Sequence, residues 1–86
     1  MIFMHYIILC RSLTAAQRGV RLLRNAGIFA SVTKAPQSAN PYGCAYGVKL
    51  GERNLTRGRE LLRENGIPGD KLFSLDRYGA VQEVWL

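Results

Sequence analysis

The sequence predicts an α+β protein with a ferredoxin-like βαββαβ arrangement, in which two helices cover one face of an antiparallel sheet and an extra strand follows. The first observation behind this is an internal repeat. Residues 18–28 recur as residues 57–67, with seven of the eleven positions identical at an offset of 39 residues. The second observation is that strand-like apolar segments flank each copy. The chain therefore reads as two β-α-β halves in tandem.

Length and composition agree with one folded domain that spans residues 1–86. The chain has 86 residues, of which 48% are hydrophobic and 21% charged. This composition is typical of a globular protein, and the length leaves no room for two independent cores. No apolar run reaches the roughly 18–20 residues that a membrane helix requires, so no membrane segment is expected.

The first half reads as strand, helix and strand. Residues 3–10 are rich in Ile and aromatic side chains, which favours a strand. A helix follows, and two N-caps are open: Ser12, or Thr14 with Gln17 three residues later as in a capping box. Residues 29–34 form the next predicted strand.

The second half repeats this order and adds a hairpin. Its helix is predicted to begin at Asn54 or near Glu52. The turn at residues 76–79 predicts that the last two strands pair with each other. Three strands are predicted in this half, at residues 45–50, 72–75 and 81–86.

Glycines stand at matched positions in the two helices. Gly27 and Gly66 lie where a left-handed C-cap is expected. Gly19 and Gly58 fall inside the helices, where glycine costs about 1 kcal/mol relative to alanine. Their matched positions predict that both helices approach neighbouring elements closely there.

The first strand is apolar on both of its faces, although one face of the sheet is predicted to carry no helix. Either a second copy of the chain covers that open face, or the C-terminal hairpin folds over it. We expect a homodimer.

The predicted topology brings the two cysteines to one end of the sheet. Cys10 closes the first strand, and Cys44 directly precedes the third strand, which runs back beside the first. The first helix begins at the same end, where its N-terminus and Arg11 would lower the pKa of a thiol. Cys44 is the predicted reactive centre, Gly43 beside it and Arg11 support it, and Cys10 is a candidate second thiol or redox partner.

The cysteines also have a plainer interpretation, since a free cysteine is commonly a small buried hydrophobic residue. Two cysteines are too few for a disulfide scaffold, which agrees with a cytoplasmic protein. No metal site or cofactor is predicted, because His5 is the only histidine and no Cys-x-x-Cys pair is present.

The net charge of +6 raises the possibility of an anionic partner. Arg18, Arg21 and Arg24 lie on the first helix, which has no acidic residue, and they are candidates for binding RNA or an acidic protein. A solvated helix face is the plainer interpretation. Nucleic acid is not favoured, because the strands lack the aromatic signature of RNA-recognition sheets.

The chain resembles the selenium/sulfur carrier-like family. The resemblance covers residues 4–75 and depends on the two helix ends, Leu-Leu-Arg-Asn-Ala-Gly-Ile and Leu-Leu-Arg-Glu-Asn-Gly-Ile, and on the loop from Pro36 to Gly43-Cys44. It implies that Cys44 holds sulfur or selenium as a persulfide or selenopersulfide. The partner would be a cysteine desulfurase or another sulfur- or selenium-handling protein, and the chain would act as a carrier rather than a turnover enzyme. The alternatives are a basic binding module and a structural or regulatory dimer without chemistry.

Overall fold

A computed structural model of the chain describes residues 4–10, 12–34, 46–67, 71–76 and 78–84. Within these ranges the chain forms five strands and two α-helices. Their bounds are β1 His5–Cys10, α1 Leu13–Asn25, β2 Ala30–Lys34, β3 Tyr46–Gly51, α2 Leu55–Glu64, β4 Leu72–Leu75 and β5 Val81–Val84, with a short 3-10 helix, Glu52–Asn54, before α2.

The strands form one sheet in the order β2-β3-β1-β4-β5, and every neighbouring pair is antiparallel. The predicted ferredoxin-like α+β fold with an extra C-terminal strand is confirmed. The last strand, β5, pairs with β4 as predicted and lies at the edge of the sheet. The described part of the hairpin therefore extends the sheet. It does not fold over the open face, which was one of the two alternatives for covering that face.

The predicted turn before β5 is held by Asp76. Its carboxylate accepts hydrogen bonds from the backbone N–H groups of Tyr78, at 2.8 Å, and Ala80, at 2.9 Å. Gly79 adopts a φ of 85°, which favours glycine. The carboxylate and the glycine thus direct the chain from β4 into β5.

The core lies between the sheet and the two helices. Side chains alternate along a strand, so one face of β1 and β3 turns every second residue towards the helices. Ile8, Val48 and Leu50 on that face are at most 1% exposed, and so are Leu23 of α1 and Leu62 of α2. Leu23 and Leu62 occupy matched positions of the repeat, so each helix buries a leucine at the equivalent position.

The two mid-helix glycines allow the close approach that the repeat predicts. A Cβ on Gly19 would lie 3.0 Å from a Leu62 methyl group, and a Cβ on Gly58 would lie 2.6 Å from a Leu50 methyl group. A side chain at Gly58 would force the Leu50 methyl group to shift, and one at Gly19 would fit only if Leu62 moved slightly. Each glycine therefore lets its helix come down onto the leucines of its neighbours.

Both helices end in the same Schellman motif. Gly27 and Gly66 have φ values of 81° and 75°. The backbone N–H groups of Ile28 and Ile67 donate to the carbonyls of Leu23 and Leu62, each at 2.8 Å. The predicted glycine C-caps are confirmed in both copies of the repeat.

The open face of the sheet carries a small apolar cluster of its own. Ile7 and Phe73 are 3% and 5% exposed, and the half-buried Leu9 and Val81 pack against them. Burial of these two residues is thus reached within one chain. The homodimer stays a prediction.

Candidate functional site

Four chain segments meet at the end of the sheet where the cysteines were expected. Cys10, the last residue of β1, is paired with Tyr46, the first residue of β3. Tyr46 is paired on its other side with Lys34, the last residue of β2. The helix α1 begins at the same end of the sheet, three residues after Cys10 in the sequence, with Ser12 as its N-cap. The predicted meeting of β1, α1 and β3 is therefore confirmed by the backbone.

The N-terminus of α1 is held by a side-chain cap. Ser12 has an extended backbone, with φ −151° and ψ 163°, and its hydroxyl oxygen accepts a hydrogen bond from the Ala15 N–H at 3.1 Å. The structure thus selects Ser12, and Thr14 lies inside the helix. A capped N-terminus still carries the partial positive charge of the aligned peptide groups, which favours a nearby anion such as a thiolate.

Three of the predicted site residues, Arg11, Gly43 and Cys44, lie outside the described residues. So does the rest of the loop that begins at Pro36. Their roles remain predictions. The described part of the site is the edge made by the ends of β1 and β2, the start of β3 and the first turn of α1.

Cys10 is a core residue. Its side chain is 3% exposed and lies in the cluster between sheet and helices. Burial raises the pKa of the Cys10 thiol, and a backbone hydrogen bond from Val48 opposes this only in part. The thiol is therefore protonated at neutral pH, which is the environment of a packing residue rather than of a reactive second thiol.

The arginines of α1 are exposed, and one of them has a structural partner. Arg18 and Arg21 lie on the side of the helix opposite its buried stripe, whereas Arg24 lies beside the stripe. The Nε–H of Arg24 donates to the carbonyl of Ala30 at 3.0 Å, which ties the last turn of α1 to the start of β2. Arg18 and Arg21 are thus the better candidates for contact with an anionic partner.

Among the described residues, no group of three or more His, Cys, Asp or Glu side chains lies together in a way that could hold a metal ion. Neither described helix is long and apolar enough to cross a membrane.

Sequence reasoning missed a depression at the opposite end of the sheet, on the open face. It is bordered by side chains from the starts of β1 and β2 and the end of β3, among them His5, Phe29 and Lys49. The His5 side chain in this depression is exposed. No sequence motif marks this site, because its residues come from three separate segments that only the strand register brings together.

Strand order, register and the position of α1 define a ferredoxin-like α+β protein in which a helix N-terminus meets the start of the third strand. The family model described as "Putative Se/S carrier protein-like" matches residues 5–74. The chain therefore belongs to the Se/S carrier-like family. No curated protein and no solved structure matches it.

Proposed function

We propose that this protein carries sulfur or selenium on Cys44, as a persulfide or a selenopersulfide, between a donor and an acceptor protein. The observation that carries the proposal is the family match, which spans residues 5–74 and so includes both cysteines. The fold and the environment of Cys10 support it in two further ways.

Cys10 is a poor candidate for the carrier atom. A carrier thiol reacts as a thiolate and has to be reached by a second protein. Cys10 is 3% exposed, and burial raises its pKa. Of the two cysteines in the sequence, this leaves Cys44 for the chemistry.

Chain connectivity supports a thiolate at Cys44. Cys44 precedes Tyr46 by two residues, and two residues of chain span at most about 7 Å. Tyr46 is paired with Cys10, and the N-cap Ser12 lies two residues after Cys10 in the chain. We expect the partial positive charge at this helix end, together with Arg11, to lower the pKa of Cys44.

The transfer step is thiol exchange without net oxidation. The Cys44 thiolate attacks the outer sulfur of a persulfide on the donor. The donor's sulfur–sulfur bond breaks, the donor leaves as a thiolate, and the new sulfur–sulfur bond forms on Cys44. The acceptor's nucleophile then attacks that outer sulfur and releases the Cys44 thiolate, so the protein is a carrier and not a turnover enzyme.

The natural donor in this proposal is a persulfide-forming enzyme such as a cysteine desulfurase. The test incubates the protein with such an enzyme and L-cysteine, then measures its intact mass. We expect the mass of one added sulfur atom, its loss in Cys44→Ser, and its retention in the matched variant Cys10→Ala. Selenocysteine in place of cysteine shows whether selenium is carried as well.

Alkylation kinetics test the activation of the thiol separately. In the Cys10→Ala protein, the rate of reaction with iodoacetamide should rise with pH, and the midpoint of this rise should lie below the free-thiol pKa of about 8.5.

In the mass measurement, a sulfur adduct that persists in Cys44→Ser and disappears in Cys10→Ala would contradict the proposal. In the alkylation measurement, a midpoint at or above the free-thiol pKa would contradict the claim that the helix N-terminus and Arg11 lower the pKa of Cys44.

A further inference from the structure

The depression on the open face has a volume of about 230 Å³. That is smaller than the roughly 300–1,000 Å³ of pockets that hold drug-sized molecules, so its ligand would contain a single ring. The side chains and backbone that border it come from β1, the start of β2, the end of β3 and the 3-10 helix. The bordering residues used below are His5, Phe29, Ser31, Lys49, Gly51 and Asn54.

Gly51 borders the depression and leaves the space above its own backbone open. It is paired with His5 on one side, and Phe29 precedes Ala30, whose partner is Leu50, so Phe29 flanks Gly51 on the other side. A Cβ on Gly51 would meet nothing within 4 Å, and its φ of −77° and ψ of 156° suit any residue. No contact or backbone angle therefore requires glycine here, and a side chain would occupy the depression.

The two rings beside Gly51 leave room for one flat ring between them. Neighbouring strands lie about 4.8 Å apart, so the backbones that carry Phe29 and His5 are about 10 Å apart. Aromatic rings pair with their centres about 4.5–7 Å apart, so one planar ring above Gly51 can contact both. Phe29 is 80% exposed, and a ring placed there would bury part of that apolar surface.

The polar side of the depression favours an anion. The half-buried Lys49 lies on the open face between Ser31 and Ile7, its partners in the two neighbouring strands. Among the described residues that border the depression none is acidic, and Ser31 and Asn54 offer neutral hydrogen-bonding groups. A carboxylate on the ligand would supply the opposite charge for the Lys49 ammonium.

We propose that this depression binds a small aromatic carboxylate, with its ring over Gly51 between Phe29 and His5 and its carboxylate on Lys49. The site lies at the end of β3 away from Tyr46, the described residue that follows the proposed carrier Cys44 in the sequence. β3 runs from Tyr46 at the cysteine end to Gly51 at the depression. Five residue steps along a strand are about 17 Å, so binding here does not depend on the carrier chemistry.

The test is a titration of the full chain with benzoate, followed by amide chemical shifts in NMR. Cyclohexanecarboxylate has the same charge without an aromatic ring, and benzamide has the ring without the charge. We expect saturable shifts at Ser31, Lys49 and Gly51 with benzoate, and weaker binding of both other compounds. The Cys44→Ser variant should bind benzoate as the unchanged protein does.

Three variants locate the binding site. Gly51→Val fills the depression, fits an extended strand and should abolish binding with the rest of the spectrum preserved. Lys49→Gln should weaken binding about tenfold or more, because it removes a charged hydrogen bond. Arg53→Gln, which removes a nearby exposed cation that does not border the depression, should leave the affinity unchanged.

Three results would overturn the proposal. The first is shifts that do not saturate. The second is equal affinity for benzoate and cyclohexanecarboxylate. The third is binding that survives Gly51→Val.

Discussion

Cys10 lies where β1 ends and α1 is about to begin, yet its side chain faces the core. Successive side chains of a strand point to opposite faces, so Cys10 shares the helix-covered face with Ile8. The position along the chain placed this thiol near a helix N-terminus, but the direction of the side chain decides its chemistry. Burial raises the pKa of Cys10, and the neighbouring helix end does not offset this.

The raised pKa of Cys10 predicts a pH-dependent stability. The folded state holds the thiol proton more tightly than the unfolded state, so this contribution is complete below the ordinary thiol value of about 8.5 and is lost as the pH rises above it. Relative to Cys10→Ala, we expect the cysteine protein to lose free energy of unfolding between pH 8 and 10, by at most about 1.4 kcal/mol per pH unit. Urea unfolding in the Cys44→Ser background measures this. Parallel pH profiles would refute the prediction.

At the scale of elements, the two helices share their ends and differ in their starts. Each C-terminus has a glycine at the matched position and an equivalent hydrogen bond, to the carbonyl of Leu23 in α1 and of Leu62 in α2. At the N-termini, the Ser12 hydroxyl caps α1, whereas Asn54 makes no side-chain hydrogen bond to α2, which is instead entered through a 3-10 turn. The repeat therefore extends to the helix ends and not to the helix starts.

This difference predicts unequal effects of two alanine substitutions. Ser12→Ala removes a cap that bonds to the Ala15 N–H and should lower the free energy of unfolding by about 1 kcal/mol. Asn54→Ala removes no such bond and should cost clearly less. Urea unfolding of both variants under the same conditions makes the comparison, and equal losses of unfolding free energy would contradict the prediction.

At the scale of the whole molecule, basic residues stand without acidic neighbours on one helix and are mixed with acidic residues on the other. The net charge is +6. On α1, Arg18 and Arg21 are exposed in a helix that carries no acidic residue, whereas on α2 Arg57 and Arg63 are interspersed with glutamates. The α1 surface therefore offers the stronger attraction for an anionic partner.

A salt titration with a single-stranded oligoribonucleotide as a polyanion probe tests this surface. Each phosphate contact to a single strand contributes about 0.7 to the slope of log affinity against log salt. Arg18→Gln with Arg21→Gln should therefore reduce the slope by about 1.4, since two contacts are lost. Arg57→Gln with Arg63→Gln removes the same charge from α2 and should change the slope less. Equal changes in the slope would show that net charge alone, and not the α1 surface, determines binding of the polyanion.

Much of the fold was predictable because its signals are local. The repeat marked both helices, their glycine C-caps and their close approach at Gly19 and Gly58, all of which the structure confirms. Strand positions followed from apolar and aromatic content, and where the predicted ends fall on described residues they lie within one residue of the observed ones. The order of strands then followed from the tandem β-α-β halves.

The sequence by itself determined the elements, their ferredoxin-like order and the family, because spacing, caps and repeats act between residues close along the chain. Only the tertiary structure decided which way Cys10 faces, that Ile7 and Phe73 are buried within one chain, and that His5, Phe29 and Lys49 border one depression. These are properties of strand register. Register brings together residues from distant parts of the chain, and a shift of one residue would turn each side chain to the opposite face.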